Sequence, residues 1–175
     1  NAGMYLVDLK KWREEKVEDK IIKRIHEQNG NVFFFEQTLM NWSCSGKILQ
    51  LPPKYNAYTL FWAFTYKNLI CWRKPNAFYL ESEVEEAKDN PIIIHFTRNF
   101  YMLSRPWIKW CDHPKTKEYV KYKLLTPWKQ LEEDNRSKKS IRRYKLWHII
   151  PQRILAIGAG VIYNEVRPKL WWKNE

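Results

Sequence analysis

The chain has 175 residues, a formal net charge of +12, ten tryptophans, and 16% aromatic against 29% charged residues. So much large apolar surface excludes a disordered chain, and the length fits one domain with a sizeable core. Three scattered cysteines, Cys44, Cys71 and Cys111, form no Cys-x-x-Cys pair, so neither a zinc knot nor a disulfide framework is indicated and reduced cytosolic thiols are the simple reading.

In chain order, Met4 to Leu9 predicts a buried strand, and a chain opening at Asn1 into such a pattern is expected to be part of something longer. Leu9, Trp12, Val17, Ile21 and Ile25 then recur at near-helical spacing, with charges on the other face and Gly30 as a stop. Residues 31–46 are a second short aromatic element, and residues 47–51 predict a strand stopped by Pro52 and Pro53. The stretch from Trp62 to Trp72 is too rich in aromatics for its pattern to choose between helix and strand. An acidic helix or loop precedes a strand at Ile92 to Ile94. Tyr119, Tyr122 and Leu125 predict one face of a short helix ended by Pro127. Strands alternating with helices favour an α/β layer architecture.

Residues 129–140 carry no core pattern and predict a polar linker, followed by a basic aromatic tail over 141–175. Charge is uneven: from Arg136 onward ten Lys and Arg face only Glu165 and Glu175, a net +8, leaving +4 for the first 135 residues. That asymmetry points to an anionic surface. The longest apolar run of the tail, Ile154 to Tyr163, falls well short of the roughly 20 residues that cross a bilayer. With Trp147, Trp171 and Trp172 it predicts an interfacial helix on an anionic membrane leaflet, the alternative being an amphipathic helix docked on the body.

The stretch "PIIIHFTRNFYMLSRPW" delivers His95 at a strand end beside Arg98 and Arg105. Such a histidine is either a hydrogen-bonded structural residue or a ligand placed where an anion meets a metal. The blocks "NAGMYLVDLKKWRE", "FFFEQTLMNW", "LPPKYNA" and "IIHF…RPW…HP…EYVKYKLLTPW" run in that order from Asn1 to Trp128. Together they resemble the C-terminal half of family 8 glycosyltransferases, retaining enzymes of the bacterial lipopolysaccharide and capsule type.

The resemblance implies the C-terminal portion of a GT-A type fold, with residues 1–128 as part of the catalytic domain. It also implies transfer of a hexose from a UDP-sugar to a saccharide or glycolipid acceptor. In that family an Asp-x-Asp motif of the N-terminal half binds a divalent metal, usually manganese, and a strand-end histidine completes the site; His95 matches it. Oxygen and nitrogen ligands suit manganese, a Lewis acid for the departing diphosphate. This chain contains no Asp-x-Asp. The expectation is therefore that the partner ligands lie on polypeptide outside it and that the piece alone is inactive.

Arg105 stands where the family has a diphosphate-binding lysine before Pro-Trp, and it keeps the charge with a bidentate fork. Arg98 is either a second phosphate contact or a surface arginine beside a tryptophan. Glu36, Gln37 and Thr38 correspond to a family Asp-Gln-Asp triplet. There the first acid holds the donor sugar's hydroxyls and the glutamine faces the reacting carbon; Thr38 lacks the second carboxylate. Asn1 and Ala2 match the strand start that lines the donor sugar, and Gly3 lets the backbone approach. Pro53 to Asn56 match an acceptor-side turn, while Trp107, Trp110 and Trp128 either stack on sugars or pack in the core.

The rival reading is a non-enzymatic basic module for membranes or nucleic acid. No RRM, KH or helix-turn-helix pattern occurs, and the charge avoids the aromatic body, so no nucleic-acid partner is expected. A third reading is a truncated chain without activity. The favoured expectation is a glycosyltransferase portion, cytoplasmic and peripheral to the inner face of the cell membrane.

Overall fold

A computed structural model describes residues 3–73, 75 and 77–172, and the chain divides into two compact units, Asn1–Leu51 and Pro52–Glu175. In the first unit Asp8 caps α1 (Leu9–Glu14), its carboxylate accepting from the amides of Lys10 and Lys11 at 3.0 and 3.1 Å. The predicted continuous helix is broken at Lys16, which takes φ 50°, and α2 (Val17–Glu27) starts afresh. Spacing is the reason: Trp12 and Val17 stand five residues apart, one more than a helical face allows. The left-handed residue absorbs the excess, and Val17 is buried. Gly30 ends the turn after α2 as expected, donating its amide to the Ile25 carbonyl at 2.9 Å.

Neither predicted strand of this unit forms. Leu6 is 86% exposed and Leu49 92% exposed, and Leu9 already belongs to α1. An apolar alternation becomes a strand only when a neighbour accepts its ladder, and among the described residues of this unit none does. α3 (Glu36–Ser43) instead packs against α2.

The second unit is built on a short parallel pair, β1 (Ala57–Tyr58) and β2 (Ile94–His95), with Ala57 opposite Ile94 and Tyr58 opposite His95. The predicted Ile92–Ile94 strand is thus displaced toward its end. Ile92 and Ile93 donate their amides to the Lys54 carbonyl, on the tight turn Pro53–Asn56. The undecided aromatic stretch is helical: α4 (Leu60–Ala63) and α5 (Tyr66–Arg73) meet at Thr65, whose hydroxyl accepts from the Asn68 amide at 3.4 Å. α6 (Glu81–Asp89) packs against the Pro53–Asn56 turn and α4 and buries Val84 and Ala87. The core joins Leu60, Phe61, Phe64, Leu69 and Trp72 to these, each large side chain contributing roughly 1.5–3 kcal/mol. The α/β expectation holds in reduced form, as helices around a two-stranded sheet.

Beyond α7 (Thr116–Lys123), the expected linker is anchored. Ile108 and Asp134 form a parallel bridge, with Lys109 donating to the Asp134 carbonyl and Asp134 to the Trp107 carbonyl, both at 2.9 Å. Ser137 then caps α8 (Lys138–Ile149), accepting from the Ser140 amide at 3.2 Å. Pro151 starts α9 (Gln152–Val161), a π-helical turn spans Ile162–Val166, and α10 runs Arg167–Trp172.

α9 docks on α5, burying Leu155, Ala156 and Gly160. Gln152 is fastened at both ends of its amide, accepting from Asn68 Nδ2 at 2.7 Å and donating to the Ala63 carbonyl at 3.0 Å. Asn164 donates to the Trp72 and Gly160 carbonyls at 2.9 and 2.8 Å. This part of the tail therefore follows the docked alternative. A Cβ on Gly160 meets the Trp72 and Cys71 carbonyl oxygens at 3.1 and 3.2 Å, whereas one on Gly158 meets nothing within 4 Å. Gly160→Ala is expected to lower stability by about 1–3 kcal/mol in chemical denaturation, and Gly158→Ala to raise it by up to about 1 kcal/mol.

His113 is 2% exposed, set edge-on to Trp62 and Phe96 at 4.8 and 4.7 Å between ring centroids. Its Nδ1 accepts from the Lys115 amide at 3.2 Å, and Thr116 donates its hydroxyl to the His113 carbonyl at 2.6 Å. Burial, then the Lys115 charge, holds its pKa down to about 4. Between the ordinary 6.5 and about 4 the unfolded chain binds the proton and the folded chain does not. Stability is therefore complete above 6.5 and falls as pH drops through that window, by up to about 3 kcal/mol. Denaturation midpoints measured across it should show this slope, and His113→Phe should flatten it.

Candidate active site

His95 closes β2, half-buried, with Nδ1 3.0 Å from Asn56 Oδ1. The two residues meet because β1 follows the Pro53–Asn56 turn and pairs in parallel with β2. With the amide oxygen facing the ring, Nδ1 is the donor and Nε2 keeps its lone pair for a ligand. Burial lowers the pKa of the ring, which favours the neutral, ligating form. The imidazole fits as one metal ligand. Among the described residues no three of His, Cys, Asp and Glu gather to hold an ion, so no further ligand set is present there.

Arg105 reaches a different feature of the same unit, a cleft of about 450 Å3. The loop before it is tied by its own hydrogen bonds: Asn99 Oδ1 accepts from the amides of Tyr101 and Met102 at 2.8 and 2.7 Å, and Ser104 donates to the Thr97 carbonyl at 2.7 Å. The Arg105 guanidinium lies 5.7 Å from the centroid of Trp107, which itself meets Tyr119 at 6.0 Å. Arg98, an exposed residue, lines the same cleft. His95 is not among the lining residues.

The bridge between Ile108 and Asp134 adds a second wall that the sequence pattern does not reveal. It sets Arg136, Lys139 and Arg143 around the cleft with Arg98 and Arg105, making five cations and no lining carboxylate. Arg136 donates from Nε to the Lys109 carbonyl at 3.0 Å, which fixes the plane of its guanidinium. Arg105 Nε, Arg136 Nη2 and Asn99 Nδ2 are buried donors without an acceptor among the described residues. Tyr144, also lining the cleft, is pushed up to about 12 by burial and by the Asp112 carboxylate, so it remains a phenol. Such a hollow stabilises polyanions such as diphosphates.

In the first unit, Glu36, Gln37 and Thr38 open α3. The residues ahead of them are strained: Phe34 and Phe35 take φ 62° and 45°, conformations that cost bulky residues of order 1–3 kcal/mol each. Thr38, which lacks the expected carboxylate, donates its hydroxyl to the Phe33 carbonyl and ties this turn. Glu36 is exposed and Gln37 half-buried, so both remain accessible to a ligand. The predicted donor contacts Asn1 and Ala2 lie outside the described residues. Trp107 is half-buried, while Trp110 and Trp128 are 73% and 64% exposed, so core packing does not explain the latter two.

The profile of "Glycosyl transferase family 8" matches residues 1–111. The chain is 30% identical over 169 residues to the lipopolysaccharide 1,2-glucosyltransferase of Escherichia coli K12, covering 93% of this chain and 45% of that protein. It is 25% identical over 130 residues to general stress protein A of Bacillus subtilis 168, covering 73% and 42%. To glycosyltransferase GlyF of Streptococcus pneumoniae serotype 4 it is 26% identical over 108 residues, covering 61% and 23%. The chain spans less than half the length of these curated relatives, and no solved structure matches it. On the extent of the profile match, the chain belongs to glycosyl transferase family 8.

Proposed function

We propose that the chain is the C-terminal portion of a GT-A type hexosyltransferase that uses a UDP-sugar, retains anomeric configuration and acts in lipopolysaccharide or capsule synthesis. The observation that carries this reading is the carboxylate-free cleft holding Arg105 and Arg98. The name of the Escherichia coli relative supports an acceptor of the lipopolysaccharide kind.

In the proposed reaction the bond from the anomeric carbon to the diphosphate oxygen breaks. The acceptor hydroxyl bonds to that carbon on the same face, and its proton passes to the departing diphosphate. Negative charge grows on the diphosphate, and Arg105, with Arg98 beside it, stabilises that charge where water is displaced. The Gln37 amide oxygen stabilises the oxocarbenium-like carbon as a dipole, while Glu36, with Asn1 and Ala2, holds the donor sugar. His95 would give one nitrogen ligand to a divalent metal such as manganese, which would supply Lewis-acid assistance to the departing diphosphate. The isolated chain is accordingly proposed to be inactive.

The outward face of the tail, whose α9 is docked on α5, is proposed to rest on an anionic leaflet at the cytoplasmic face. Among the described residues no single helix is long and apolar enough to cross a membrane, while Lys138–Ile149 and Gln152–Leu170 form a pair bent by 114° with suitable composition. Ile149, Ile154 and Ile162 are 78%, 60% and 60% exposed close to Lys145, Arg153 and Arg167. That combination suits an interfacial helix pair. The side chains of Trp171 and Trp172 lie outside the described residues.

In the complete enzyme, Arg105→Ala is expected to lower kcat/KM for the UDP-sugar by about a hundredfold, with Arg105→Lys intermediate. Unchanged steady-state kinetics would remove the cleft from the donor site. For the tail, co-sedimentation with phosphatidylglycerol vesicles should be salt-sensitive and fall about tenfold in Ile149→Asp/Ile162→Asp. Equal binding to phosphatidylcholine vesicles contradicts the anionic-leaflet assignment.

A further inference from the structure

The cleft holds more positive charge than a nucleotide sugar needs. A diphosphate bridge carries one negative charge per phosphorus, which Arg98 and Arg105 can match. Arg136, Lys139 and Arg143 remain, and all three come from the segment after residue 111, where the family profile ends. Lys139 and Arg143 stand four apart on α8, on one helical face. Like charges at that spacing weaken a helix by a few tenths of a kcal/mol, so the helix itself gains nothing from the pair. No lining carboxylate offsets them.

The remaining geometry also suits a tetrahedral anion. The Arg136 guanidinium is held in plane by its Nε bond to the Lys109 carbonyl, and its buried Nη2 has no acceptor among the described residues. Ser137 and Ser140 contribute to the same wall, and the Ser137 hydroxyl oxygen is already engaged by the Ser140 amide. The fixed Arg136 guanidinium, the exposed Arg143 guanidinium, an ammonium and serines together match the oxygens of a phosphomonoester better than the single plane of a carboxylate.

We infer that Arg136, Lys139 and Arg143 form a second subsite, which recognises a phosphomonoester carried by the acceptor saccharide. The inference rests on the proposed donor role of Arg98 and Arg105, and it names the acceptor class: a phosphorylated glycan rather than a neutral one. Selectivity arises because a neutral acceptor gains no charge-assisted contact from the three cations.

The test titrates the 175-residue chain with glucose 6-phosphate, glucose, glucuronate and pyrophosphate, following binding by calorimetry. Glucose 6-phosphate is expected to bind, with glucose silent and glucuronate about tenfold weaker, the loss of one charge-assisted contact. Lys139→Gln/Arg143→Gln, both exposed positions, should melt with the parent chain. That variant should weaken glucose 6-phosphate by about tenfold or more while changing pyrophosphate by less than about threefold. Arg105→Gln should do the reverse. If the double variant weakens both ligands equally, the cleft is one anion site and the second subsite is overturned, while the donor reading stands. If Arg105→Gln leaves pyrophosphate binding unchanged, the donor reading fails instead. Absence of glucose 6-phosphate binding, or glucuronate binding as tightly, overturns the phosphomonoester assignment.

Discussion

The functional geometry of the second unit depends on one short backbone pairing. Two amide-to-carbonyl bonds between residues 107–109 and Asp134 turn a charged connection into the wall of a cleft. Together with the α8 rings of Trp147 and His148, which meet Phe100 and Tyr101, they set Arg136 and the start of α8 facing Arg98 and Arg105, although cations repel and no lining carboxylate draws them together. Backbone hydrogen bonds, each worth only about 1 kcal/mol net, thus hold side chains that would otherwise separate. The Arg136 bond to the Lys109 carbonyl extends the same seam into a side chain.

The two central histidines illustrate how environment divides one residue type between roles. His95 is half-buried at a strand end, its Nδ1 engaged by Asn56 and its opposite nitrogen available. His113 is enclosed by Trp62 and Phe96 and supports the turn into α7. Burial lowers the pKa of both, yet only the first combines neutrality with access. Strain is located separately, at Phe34 and Phe35, where it sets the start of α3 and hence the residues Glu36 and Gln37.

Much of this was legible in the sequence where side chains carry the signal. The His95 strand end, the stop at Gly30, the acidic helix α6 and the basic tail all follow from residue type and spacing. The failures share a cause. Met4 to Leu9 has strand periodicity but finds no ladder among the described residues of its unit, and residues 129–140 have linker composition but find one. Pairing partners are non-local and leave no local pattern. The break at Lys16 was encoded, in the extra residue between Trp12 and Val17, and can be found by counting the register. The cationic wall was visible only as a charge surplus after Arg136; its convergence on Arg105 required the fold.

The central claim, that residues 107–109 and 134–136 form one anion-holding wall, is most directly tested by amide hydrogen exchange at Lys109 and Asp134. Both amides should exchange slowly and together, and pyrophosphate should slow them further by ordering the cations across the seam. Exchange of Asp134 at the rate of an open linker, indifferent to pyrophosphate, would contradict the account.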